Sequence, residues 1–137
     1  MPAASESSSP EPAGPGPRLI ALRGATSVPA NDRDAILERT SELLTELMAR
    51  NALTPEDCVS AIFTCTPDLT AEFPAVAARQ LGFAQVPLLC AQEIDKPGAL
   101  PLAVRILLHV YAPPGHASRH VYLHEARALR SDLDAPQ

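Results

Sequence analysis

Arg105 sits in the middle of Ala103-Val104-Arg105-Ile106-Leu107-Leu108, a run that is otherwise apolar. Burying a guanidinium in such a run costs free energy unless an anion meets it. Either a carboxylate of the chain pairs with it, or the side chain emerges at an edge, or an anionic ligand docks there. Arg23 stands at the end of an apolar segment, just before Gly24. Glycine lets backbone and ligand come close, so such strand ends open onto sites. A solvated strand-end arginine is the plainer alternative. Cys90 and Glu93 close a third apolar segment, and Tyr122 and Arg130 lie in and after the last one. Each of these is ordinary alone, as a core thiol, a surface carboxylate or an exposed arginine. Together, several arginines at strand ends suit a small ligand with more than one carboxylate, because the guanidinium fork pairs bidentately with that group.

Other chemistries find no support. There is no nucleophile elbow, P-loop or dinucleotide fingerprint, so no nucleotide cofactor is expected. His109, His116, His120 and His124 lack metal-ligand spacing, and no metal is expected. Cys58, Cys65 and Cys90 form no CxxC pair, which fits reduced thiols in a cytoplasmic protein. A net charge of -5 and the absence of Trp argue against nucleic acid as a partner. No apolar run approaches the ~18 residues that span a membrane, and the N-terminus has neither basic n-region nor apolar h-region.

The elements that must position these residues follow from periodicity. Residues 1–17 are rich in Pro, Ser, Ala and Gly and read as a disordered tail. The domain spans residues 18–131, and a polar tail covers 132–137. Residues 18–28 alternate as a strand broken near Gly24, with Leu19, Ala21 and Arg23 on one face. Ile36, Leu37, Thr40, Leu43, Leu44, Leu47 and Met48 recur at the 3.6 period of an amphipathic helix ending near Asn51. Thr54-Pro55-Glu56-Asp57 is a capped short turn. Residues 58–66 form a second strand, 74–81 a short helix capped by Gly82, 83–90 a third strand, 102–111 a fourth and 120–129 a fifth. Five strands and two helices make an α+β domain with a mixed five-stranded sheet, one helix long and one short. One long helix covers only part of one sheet face, so the other face calls for a second copy.

Read in order, these segments resemble the monofunctional chorismate mutases of the trimeric, Bacillus-type pseudo-α/β-barrel family. The resemblance rests on Arg23-Gly24-Ala25-Thr26, on Thr66-Pro67-Asp68-Leu69 with Glu72-Phe73-Pro74-Ala75, and on Val86-Pro87 with Cys90 and Gln92-Glu93. It continues through Val104-Arg105 to Arg119-His120-Val121-Tyr122-Leu123 with Leu129-Arg130. It implies conversion of chorismate to prephenate by a concerted [3,3] rearrangement in phenylalanine and tyrosine biosynthesis. It also implies a homotrimer with its sites between subunits. Catalytic roles fall on Arg105, at the ether oxygen, and on Glu93 and Cys90, at the ring hydroxyl. Substrate binding falls on Arg23 and Tyr122, on Phe73, Ala75 and Arg79 from a neighbouring subunit, and on Leu129 and Arg130 closing over the site. The chain departs from the family at Val76, where a lysine is usual, and at Leu89, where a threonine occurs. A trimeric small-carboxylate binder, or an imine deaminase of similar architecture, is the alternative. A pure binder has no use for Glu93 beside an anion, since like charges repel.

Overall fold

The computed structural model describes residues 16–130, together with Gly14. The tails expected over residues 1–17 and 132–137 lie outside the described residues, apart from Gly14, Gly16 and Pro17. The chain runs β1 (Arg18–Ser27), α1 (Arg33–Arg50), a 3-10 turn (Pro55–Asp57), β2 (Cys58–Cys65), α2 (Ala75–Gln80), β3 (Leu88–Gln92), β4 (Ala103–Ala112), β5 (Val121–Tyr122) and a 3-10 helix (His124–Arg130). The strands form one mixed sheet in the order β3-β2-β4-β1-β5, with β4 at its centre. It pairs antiparallel with β1 and β2, while β3 and β5 lie parallel on the outside.

Helix α1 is amphipathic as the sequence implies, burying Ile36, Leu37, Thr40, Leu43, Leu44 and Leu47. Asp32 caps it, its carboxylate accepting from the Ala35 N–H at 3.0 Å. The buried stripe rests on β1 and β4 through Leu22, Val104, Ile106, Leu108 and Val110. Strand β4 alternates strictly: these four β4 residues point into the core, and Arg105, Leu107, His109 and Tyr111 point away. The apolar run therefore does not enclose Arg105, whose side chain stays 45% exposed.

The expected break at Gly24 is absent. Strand β1 continues through it, with Gly24 opposite Ile106. A Cβ there would lie 2.9 Å from Leu47 Cδ1 and 3.1 Å from Leu43 Cδ1 and Ile106 Cγ2. The glycine lets α1 seat close on the sheet. The third strand begins at Leu88, five residues later than expected. Gly82, at φ 97, caps α2 as its sequence implies. The chain then turns, Phe83 N–H bonding Ala78 O at 3.1 Å and Val86 N–H bonding Phe83 O at 3.0 Å. Pairing with β2 starts only once Pro87 O accepts from Ala61 N–H.

The fifth strand is also corrected. Only Val121 and Tyr122 pair, with Gly24 and Ala25 of β1. His124 then takes φ 53 and the chain winds into the 3-10 helix. Leu123, Ala126 and Leu129 recur every three residues, the period of that helix, and Ala126 is fully buried.

Both helices pack on one face of the sheet. The opposite face carries Ile62 and Leu107, and also Leu19, Leu89 and Tyr111, which are 53%, 61% and 52% exposed. Among the described residues, no helix is long and apolar enough to cross a membrane.

Candidate active site

The register of the sheet assembles the site on that open face. Thr64 of β2 lies opposite Arg105 of β4, Arg105 opposite Ala25 of β1, and Ala25 opposite Tyr122 of β5. The next row brings Ile62, Leu107 and Arg23 together. Directly opposed residues share a face. A cavity of about 260 Å³ results, lined by Arg23, Ile62, Thr64, Arg105, Leu107 and Tyr122. Ala25 supplies no bulk, which leaves room between the guanidinium and Tyr122.

Glu93 joins this row from the end of β3. Its backbone N–H bonds Cys65 O at 2.9 Å, which fixes where the side chain starts. Carboxylate Oε2 lies 3.2 Å from Arg105 Nε. The same Oε2 accepts from Thr64 Oγ1 at 2.6 Å. Arg105 thus has the carboxylate partner its sequence position calls for, and the pair lies beside the cavity rather than in the core.

Arg23 is held by a contact across almost the whole sequence. Its backbone N–H donates to His120 Nδ1 at 2.9 Å. That imidazole nitrogen must be unprotonated to accept. Burial, and then the Arg23 guanidinium, hold the His120 pKa below the ordinary histidine value of 6.5. The segment leading to Tyr122 is anchored by Asn51, which is 2% exposed. Its Nδ2 donates to Leu47 O and Arg119 O, and its Oδ1 accepts from Arg119 N–H and pairs with His116 Nε2, all within 3.0 Å. Every polar atom of this buried side chain is satisfied.

The remaining expected residues lie elsewhere in the single chain. Cys90 is opposite Phe63, which places it on the core side of β3. It lines a second cavity of about 300 Å³ with Phe73, Cys65 and Glu72. Ala75 is buried at the start of α2, Arg79 is exposed in its last turn, and Leu129 is half-buried in the 3-10 helix. None of these three lines either cavity. The Arg130 side chain lies outside the described residues. The loop bearing Phe73 is tied to the start of α1. Asn31 Oδ1 accepts from Thr70 and Ala71 N–H at 2.9 Å, and Arg33 Nε meets Glu72 Oε2 at 2.9 Å.

Two of the three thiols, both outside the cavity, are held protonated. Burial, then the neighbouring Cys90, Glu93 and Asp68, push Cys65 up to about 12. Burial and the adjacent Asp57 and Glu56 push Cys58 up to about 11. Among the described residues, no group of three His, Cys, Asp or Glu is placed to hold a metal ion. Thr64 was not singled out in the sequence; His120 was read only as a histidine without metal-ligand spacing and as part of a family motif, and Asn51 only as the end of a helix. The only signal for Thr64 was its place as the polar member beside Ile62 in an alternating strand.

A model of the chorismate mutase type I family matches residues 19–133. A chorismate mutase AroH of Thermus thermophilus is 45% identical over 118 residues, covering 85% of this chain and 97% of that protein. One from Bacillus subtilis is 41% identical over 114 residues, covering 82% and 90%. A chorismate mutase structure from Clostridium thermocellum superposes with a TM-score of 0.77 at 43% identity, covering 80% of this chain and 98% of the other. The matched span runs from the second residue of β1 through the final 3-10 helix, and holds every side chain around the cavity: the chain belongs to the type I chorismate mutases.

Proposed function

We propose that this chain converts chorismate to prephenate at the cavity between Arg23, Arg105 and Tyr122, completed by a neighbouring copy in a cytoplasmic homotrimer. Its family membership makes it a chorismate mutase, and neither the binder nor the deaminase alternative is favoured by its relatives. The observation that carries the placement is the Arg105–Glu93 pair, standing on an open sheet face in one row with Tyr122.

The reaction breaks a C–O bond as a C–C bond forms. It needs no nucleophile, proton transfer or cofactor. The protein has to hold a compact conformer and meet the charge that separates. Arg105 meets the ether oxygen as it becomes anionic, a preorganised donor of the oxyanion-hole kind. Glu93 accepts from the ring hydroxyl and faces the positive charge growing on the ring. Arg23 holds a carboxylate, and Tyr122 orients that end. Two arginines against one carboxylate leave a single formal positive charge, too little for a dicarboxylate. Arg79 of a neighbouring copy supplies the next cation, with Phe73 and Ala75 lining the mouth and Leu129 and Arg130 closing it. Cys90 touches the ring hydroxyl across the same boundary. The exposed Leu19, Leu89 and Tyr111 support the idea that a second copy covers this face. Val76 removes a rim cation usual in the family, so carboxylate steering rests more heavily on Arg79.

The test is loss of chorismate absorbance with purified, dialysed protein and no added cofactor. Prephenate formation is expected. Binding without turnover would support the binder reading instead.

A further inference from the structure

The geometry points to Thr64 as a positioning residue that locks Glu93 against Arg105; this rests on the cavity being the mutase site. Thr64 lies directly opposite Arg105 in the β2–β4 ladder. Its hydroxyl donates to Glu93 Oε2 at 2.6 Å, a short bond of the charge-assisted kind. Arg105 Nε reaches that same oxygen at 3.2 Å. Both contacts fall on Oε2, so Oε1 has no partner among the described residues and is left to face a ligand. The ion pair with Glu93 also fixes where the Arg105 guanidinium stands, beside the cavity it lines.

Glu93 needs such a lock. Its backbone is tied to Cys65 O, but it lies just beyond the end of β3 and opens a loop that runs to Asp95 and Lys96, so its side chain lacks strand neighbours on that side. Arg105 is a long, half-exposed side chain with freedom to swing. Thr64 is the stiff member. Its branched Cβ restricts χ1, and it sits inside β2, one residue before the strand ends. Without its hydroxyl, the carboxylate can rotate to present either oxygen, and the ion pair can slide into a geometry in which both Arg105 Nη groups close on Glu93. That competing fork would remove the very donors the reaction uses.

The experiment compares steady-state chorismate turnover by the full chain, Thr64→Val, Thr64→Ser, Glu93→Ala and the double variant Thr64→Val/Glu93→Ala. Valine keeps the branched shape and the strand propensity, so Thr64→Val is expected to fold; Thr64→Ala, read in the same way, serves if it does not. In Thr64→Val, kcat is expected to fall roughly tenfold, the effect of one hydrogen bond to a charged group. KM should change by less than about twofold, because positioning matters most in the transition state. Serine, which keeps the hydroxyl, should restore kcat to within about threefold of the parent chain. In the Glu93→Ala background, Thr64→Val should cause no further loss, since the group it positions is gone. An unchanged kcat in Thr64→Val, failure of serine to rescue, or an equal loss in both backgrounds would overturn the assignment. If Arg105→Ala retains full turnover, the cavity itself is misassigned; if it collapses while Thr64→Val is unaffected, only the role of Thr64 falls.

Discussion

At the scale of residues, the site is a set of side chains kept in place by partners far away in sequence. His120 illustrates the cost of such a partner. Its Nδ1 accepts from Arg23 N–H, so protonation must break that bond or be resisted. The folded pKa lies below 6.5, whereas the unfolded imidazole titrates near that value. As pH falls below about 6.5, the unfolded chain takes up a proton that the folded chain resists, so stability falls with pH in that window. Above it, the contribution is complete. Urea midpoints between about pH 7.5 and 5.5 should therefore drop more steeply for the parent chain than for His120→Asn, whose amide oxygen accepts without titrating. Equal slopes would show that the ring is not acting as a neutral acceptor. The legibility of the site follows the same logic. Arg23 and Tyr122 are ordinary alone and gained a role only from the family resemblance; Arg105 could be picked out because a charge in an apolar run is conspicuous. Thr64 and His120 could not, because their partners lie 29 and 97 residues away and a sequence does not display register. Cys90 was placed at the ring hydroxyl with Glu93 by the family resemblance; within one chain it stands opposite Phe63 on the core side of β3, while Glu93 pairs with Arg105 on the open face.

Among the elements, α1 was legible because its apolar spacing is set by the helix alone. The seven positions read from the sequence are the buried stripe of the structure, with Met48 at its edge. Strands three and five were misplaced for local reasons. Phe83 is as apolar as a strand residue, yet it is buried in a turn that follows Gly82. Residues 123–129 alternate loosely enough to pass for a strand, but a three-residue repeat governs them. Gly24 shows how an element interface hides from sequence reading. It was read as a strand end that opens onto a site; it does line the cavity beside Arg23, but in mid-strand, and its missing side chain admits Leu43 and Leu47 on the helix side. Gly24→Ala should lower stability by about 1–2 kcal/mol. Overpacking costs about 1–3 kcal/mol, and leaving glycine in a strand returns only about 0.5–1 kcal/mol. A chemical melt measures it; a gain in stability would show that the leucine tips yield freely and that the helix does not sit close for this reason.

For the whole molecule, the sheet separates two jobs. One face binds α1 and α2 and forms the core. The other carries the charged row and a scatter of exposed apolar side chains. A cavity of about 260 Å³ with one open side exposes its ligand to water, and electrostatic stabilisation is strong only where water is displaced. Closure by a second copy would serve catalysis as well as stability. Sedimentation at micromolar concentration should give three times the chain mass, and Leu89→Asp or Tyr111→Asp, on the open face, should shift it towards monomer with turnover lost alongside. A fully active monomer would contradict the shared site. The central claim is that the Arg105 guanidinium meets the charge that develops as the bond breaks. Its most direct measurement is kcat for Arg105→Ala, with Arg105→Lys alongside and oligomer mass checked in each. The account expects the alanine variant to lose at least roughly 10²–10³ in rate with its assembly unchanged, and lysine, lacking the planar fork, to recover little of it. Turnover by Arg105→Ala close to that of the parent chain would contradict the account.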